Sequence, residues 1–122
     1  QLSLYSPSPS ALTPLKSLYA DILPLSKDIV FCRQYLNETY IALQNGKSMY
    51  KKLPLTFLEA LLPNHLFTRI NDKCIINLNH LVKIKDSPQE NIILDTGDSL
   101  RLTEERKMTL LHNLQHIALI AS

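Results

Sequence analysis

The run Phe67-Thr68-Arg69-Ile70-Asn71-Asp72-Lys73-Cys74-Ile75-Ile76-Asn77 leaves the chain little choice of local structure. β-Branched and aromatic residues on both sides of a polar triplet make two short strands around a tight turn. Phe67, Ile70, Ile75 and Ile76 suit the buried face of a sheet, whereas Asn71, Asp72 and Lys73 are pushed outward. A turn that displays an amide, a carboxylate and an ammonium offers hydrogen bonds and charge to an outside partner. That is a geometry for binding rather than for catalysis.

The same alternation of short apolar runs and polar turns recurs along the chain. It predicts strands at residues 15–19, 21–25, 29–33, 40–43, 48–53, 66–70, 74–77, 81–85, 91–94 and 99–102. Asn45-Gly46, Asp86-Ser87-Pro88 and Thr96-Gly97-Asp98 supply the left-handed or fixed backbone that β-turns need. Short connections of this kind join antiparallel strands. Two windows read as helices instead. Thr56 and Glu59 form a capping box ahead of Pro63, giving residues 56–62, and Thr103 caps a helix over residues 103–120 with Glu104 and Glu105 at its positive end. The expected fold is mainly β: an elongated β-sandwich of about ten short antiparallel strands in stacked sheets, with one short helix and a C-terminal helix. The last helix carries more apolar residues than one face requires. Leu119-Ile120-Ala121 therefore either docks on the sheets or forms a self-association surface.

With 122 residues, 45% of them hydrophobic, the chain is long enough to bury a core without metals or disulfide staples. Pro7, Pro9 and Pro14 make residues 1–14 an extended linker from an upstream domain, leaving residues 15–122 as the folded unit. No run of eighteen apolar residues and no secretory signal is present, so a cytoplasmic location is expected and no membrane is crossed by this portion. Cys32 and Cys74 lie in strand-like apolar runs and read as reduced core thiols. The net charge of +2 is too small for a nonspecific polyanion binder, but it is unevenly spread. Arg69, Lys73, Lys83 and Lys85 face one acid, Asp72, between residues 65 and 85, and six acids follow between residues 86 and 105. A basic patch beside an acidic one can orient a duplex, although any single charge is equally well explained as a solvated face.

The run from Phe67 to Asn77 resembles the signature of the LytTR family, DNA-binding output domains of bacterial response regulators, which reads Phe-x-Arg-Ile-His-Arg-Ser-aromatic-Ile-Val-Asn. Phe67, Arg69, Ile70, Ile75 and Asn77 match it, with Ile76 a near match. Asp28-Ile29-Val30-Phe31 resembles the family's first strand, and Tyr40-Ile41-Ala42-Leu43 with Asn45-Gly46 its next strand and turn. The helix before the signature and the last strand running into a terminal helix follow in the family's order, so the likeness spans about residues 28 to 114.

The resemblance implies duplex DNA as partner, met by loops rather than by a recognition helix, with two copies on repeated sites and a receiver or sensor domain upstream. Carried onto this chain, it nominates Asn37 and Thr39 in the loop before Tyr40, Asn71 and Lys73 in the knuckle, and Arg106 and Lys107 at the start of the last helix. Asn71 stands where the family has histidine, and its amide can both donate to and accept from a base edge. Arg33 can add a backbone contact. Arg69 reads as a structural cation and Asn77 as a strand-end residue bonded to backbone. Two departures oppose DNA: Asp72-Lys73 replaces the family's Arg-Ser, and Thr103-Glu104 its Ser-Arg.

No catalytic constellation accompanies these residues. His112 and His116 have helical spacing, but no third ligand is placed to complete a metal site, and phosphate loops, nucleophile motifs and Cys-x-x-Cys are absent from the sequence. Neither a cofactor nor a metal is expected. The reading is a sequence-specific duplex-DNA-binding output domain of a bacterial transcriptional regulator of the two-component type. The alternative is a protein-interaction or dimerisation module that keeps the fold with weak or no DNA binding.

Overall fold

The computed structural model describes the backbone of residues 23–87 and 89–121, and side chains over residues 26–87 and 89–115. Eight strands lie in these stretches: β1 (Ile29–Tyr35), β2 (Glu38–Leu43), β3 (Ser48–Lys51), β4 (Phe67–Asn71), β5 (Cys74–Asn77), β6 (Leu81–Ile84), β7 (Ile92–Leu94) and β8 (Ser99–Leu100). Helix α1 (Leu55–Leu61) sits between β3 and β4, and α2 (Glu104–Ala121) follows β8. All pairings are antiparallel. A five-stranded sheet runs in the order β3-β2-β1-β5-β4, and a three-stranded sheet in the order β6-β7-β8.

The larger sheet is apolar on both faces because two layers cover it. On one face Val30, Phe31, Ile70 and Ile76 pack with Ile92, Leu94 and Leu100 of the small sheet and Leu110 of α2. On the other, Ile29, Cys32, Ile41 and Ile75 pack with Leu55 and Leu58 of α1. Burying each of these aliphatic side chains contributes on the order of 1.5–3 kcal/mol. The period-2 alternation of β4 and β5 thus feeds two separate cores, which is why the signature strands are apolar almost throughout.

Mainly antiparallel β-structure with two helices is as the sequence predicts, and two of the three expected turns show the left-handed backbone they need. Asn45 and Gly46 both take left-handed backbone, with φ of 66° and 76°, and Gly97 has φ of 91°.

Three local expectations are corrected. The strand at residues 21–25 is absent where it is described, since Leu23–Asp28 forms a 3-10 helix; Pro24 cannot donate to a ladder. Helix α1 starts one residue early, after Pro54, and has no side-chain cap. The capping box fails because Glu59 is drawn into an ion pair with Arg69, and the Leu55 N–H donates to Gln34 Oε1 at 3.2 Å instead. The Thr103 hydroxyl is likewise diverted, donating to the Ile70 carbonyl. The strand at residues 15–19, the linker at residues 1–14 and the docking of Leu119 and Ile120 lie outside the described residues or side chains.

Candidate nucleic-acid interface

Strand β4 does not run straight into its turn. The pairing of β4 with β5 slips between Arg69 and Asn71, leaving Ile70 in a bulge. A bulged residue has its carbonyl outside the ladder, and here that oxygen accepts twice from Thr103, from the backbone N–H at 3.0 Å and from Oγ1 at 3.3 Å. One residue on, Asn71 Nδ2 donates to the Arg101 carbonyl at 2.6 Å while its Oδ1 accepts the Lys73 N–H at 2.7 Å. The second bond is an Asx-turn that closes the knuckle; the first ties it to the segment entering α2. Asn91 holds that segment from behind, exchanging two hydrogen bonds with the Leu102 backbone at 2.7 and 3.3 Å.

Arg69 completes the knuckle from inside. Its Nε donates to the Asn71 carbonyl and its Nη2 to the Asp72 carbonyl, while Nη1 pairs with Glu59 Oε1 at 2.9 Å. The fork of the guanidinium fits two successive carbonyls and a carboxylate at once, which a lysine cannot do. Asn77, at the other end of the hairpin, donates to the Ile29 carbonyl and accepts from the Asn79 N–H. Both residues therefore serve the structure, as their sequence context suggests.

The hairpin joining β1 to β2 arrives at the same end. Arg33 pairs with Cys74 across the ladder, and the Gln34 N–H donates to the Lys73 carbonyl at 2.9 Å. Tyr35 pairs with Glu38, so Leu36 and Asn37 form the exposed tip beside the knuckle. All three loops nominated from the sequence thus converge. A cleft of about 350 Å³ between the two sheets opens there, lined in part by Arg33, Asn71, Lys73, Glu90, Arg101 and Thr103.

The candidate residues fare differently within this arrangement. Lys73 and Lys107 are exposed, Arg106 is half-buried on the first turn of α2, and Asn37 is exposed at the hairpin tip. Thr39 is 0% exposed and donates to the Leu53 carbonyl at 2.8 Å, so it has no surface to offer. Its place two residues before Ile41, on the inward side of β2, is the signal that points inward. Asn71 has both ends of its amide engaged, so it positions the loops before it can read anything. Sequence reasoning missed Arg101 and Asn91.

The electrostatics are mixed. Arg33, Lys73, Arg101 and Lys107 are exposed at this end together with Asp72, Glu90 and Glu104. Arg33 also lies over the Tyr35 ring, 5.4 Å from its centroid. Behind the cleft, burial pushes the Cys74 thiol above its ordinary pKa, with Arg33, a bond from Asn71 and Arg69 opposing. Cys32 is pushed up to about 12 by burial and then by Cys74. Both thiols are free. Among the described residues no group of three or more His, Cys, Asp or Glu is arranged to hold a metal ion, and no helix is long and apolar enough to cross a membrane. His65 and His112 border a separate cavity of about 410 Å³ against α2, while the His116 side chain lies outside the described residues.

Comparison with known proteins meets this geometry directly. The family model for the LytTr DNA-binding domain matches residues 22–115. Among solved structures, the chain is similar in fold to the LytTr DNA-binding domain assigned to a methyl-accepting/DNA response regulator of Bacillus cereus. The TM-score is 0.65 at 21% identity, over 73% of this chain and 83% of that one. No curated protein matches the chain.

Proposed function

This chain belongs to the LytTR family of DNA-binding domains, and from that premise we propose that it is a sequence-specific output domain of a transcriptional regulator, meeting duplex DNA through its loops. The observation that carries the proposal is the convergence of three loops at one end of the large sheet, stitched together by the Ile70–Thr103 and Asn71–Arg101 hydrogen bonds. In this reading Lys73, Arg33, Arg101, Arg106 and Lys107 neutralise phosphates, and Asn37 faces base edges. Asn71 is a positioning residue. Phosphate contacts fix register, and the rigid loop cluster sets which base edges come within reach. Paired copies on repeated sites, driven by an upstream receiver or sensor domain, belong to the same proposal.

A salt titration of fluorescence anisotropy, on a duplex selected by the protein from a random pool, tests it. Neutralising about five phosphates gives a slope of log K against log salt near roughly −4 to −5, and Lys73→Ala should reduce the slope by about one unit on every sequence. The carboxylates Asp72, Glu90 and Glu104 at the same end favour a second reading, a protein-interaction or dimerisation module. That reading takes over if Lys73→Ala leaves binding untouched and no duplex is selected.

A further inference from the structure

The tip of the hairpin joining β1 to β2 carries a side chain that folding does not explain. Leu36 is 93% exposed, and its backbone has φ of 53°. Only two non-glycine residues take positive φ among those described, and the other is Asn45, whose side chain tolerates that region. Two-residue hairpin loops favour glycine or asparagine at such positions, because a Cβ there crowds the backbone. Leucine is thus unfavourable twice over, through local strain and through apolar surface left in water. Gln34 Nε2 donates to the Leu36 carbonyl at 3.1 Å and helps to hold the tip in place. Strain of this kind, kept in place by its surroundings, is a pointer to function.

We infer that Leu36 contacts the 5-methyl group of a thymine in the major groove, with Asn37 beside it reading an adenine edge. The inference rests on the DNA reading above and names the base class read by this hairpin. Three features favour DNA as the occupant. The tip is joined to the knuckle through the bond between Gln34 and Lys73, and Lys73 and Arg33 flank it with positive charge suited to phosphates. Leucine followed by asparagine also matches an A·T-containing step chemically. The thymine methyl is the one apolar group on the floor of the major groove, and a carboxamide pairs with adenine N6 and N7.

The test is a thymine-by-thymine replacement with deoxyuridine across the selected duplex, measured for the native chain and for Leu36→Gly. Deoxyuridine removes only the methyl group. Losing one buried methyl contact corresponds to roughly a four-fold weaker Kd, and the native chain should show that loss at one or two positions. Leu36→Gly should bind the thymine duplex more weakly by at least as much and be indifferent to deoxyuridine at those positions. Its melting temperature should be unchanged or higher; Leu36→Asn, which also tolerates positive φ, repeats the test if the glycine variant does not fold.

If Leu36→Gly keeps native affinity and native deoxyuridine losses while Lys73→Ala weakens binding, the inference fails and the DNA reading stands. A Leu36→Gly variant that loses affinity on a duplex whose deoxyuridine forms bind the native chain normally also overturns it, in favour of an apolar wedge at a base step. If no duplex is selected and Lys73→Ala is silent, both fall together.

Discussion

Asn71→Ala separates a residue that shapes the interface from one that reads bases. The substitution removes two hydrogen bonds to backbone, from Nδ2 to the Arg101 carbonyl and from the Lys73 N–H to Oδ1. Each is worth about 0.5–1.5 kcal/mol net. Both released backbone groups are near the surface, so water can replace the lost partner and no buried-group penalty is added. The expected loss is therefore about 1–3 kcal/mol. In urea, followed by far-UV circular dichroism, the midpoint should fall by roughly 0.5–1.5 M with an unchanged m-value.

Thr103→Val, which removes the hydroxyl bond to Ile70, acts on the same junction. The double variant should deviate from additivity by about 0.5 kcal/mol or more, as expected of residues in one network. DNA affinity of Asn71→Ala should fall more on the preferred duplex than on random DNA, because the loops lose the relative placement that favours a fitting site. A stability change below about 0.3 kcal/mol, with affinity lost only on the preferred duplex, would refute this reasoning and make Asn71 a direct reader.

The remaining expectations are more compact. Glu104→Arg exchanges repulsion for attraction at an exposed helix start and should tighten DNA binding at low salt, an advantage that shrinks as salt screens it. Arg69→Lys should destabilise the fold by about 1–2 kcal/mol in the same urea assay, because an ammonium cannot hold the Asn71 and Asp72 carbonyls and Glu59 together. For the thiols, folded pKa values lie above the unfolded value. Their stabilising contribution is whole below the ordinary thiol pKa and is lost as pH rises through the raised folded values, about 12 for Cys32, so unfolding free energy should fall above pH 9. Each thiol contributes up to about 1.4 kcal/mol per pH unit, and Cys32→Ala should flatten the slope measured between pH 9 and 11 by up to that amount.

What the sequence made legible was local chemistry. Asn45-Gly46 and Gly97 declare left-handed turns, and the β-branched runs around them have only one way to sit in an antiparallel sheet. Arg69 and Asn77 were readable as structural because a guanidinium and a carboxamide at strand ends find nearby backbone. Hidden from view were the bonds that span long stretches of chain. That Asn71 is tied to Arg101, that Ile70 bulges to meet Thr103, and that Glu59 abandons its cap for Arg69 all depend on tertiary placement. Tertiary contacts of this kind routinely override local propensity, which is only a weak prior. Thr39 is the opposite case: its inward parity on β2 was available in the sequence, and family position alone suggested otherwise.

The charge pattern at the loop end gains meaning from this rigidity. A flexible basic tail would bind any duplex, because its cations could each find a phosphate. Here the backbones of Lys73, Arg101 and Thr103 are fixed relative to one another through the Ile70 bulge and the Asn71 amide, and in the proposed reading this favours phosphates whose spacing fits. In the same proposed reading, the exposed carboxylates Asp72, Glu90 and Glu104 repel phosphates that fall elsewhere. Mixed charge on a rigid end therefore lowers affinity for random DNA more than for a fitting site, which raises discrimination at the expense of strength. A domain built that way gains from a second copy on the same duplex, since linking two modest contacts multiplies affinity without adding any new one. The small net charge, the carboxylates among the cations and the expected repeated sites are then parts of one physical arrangement.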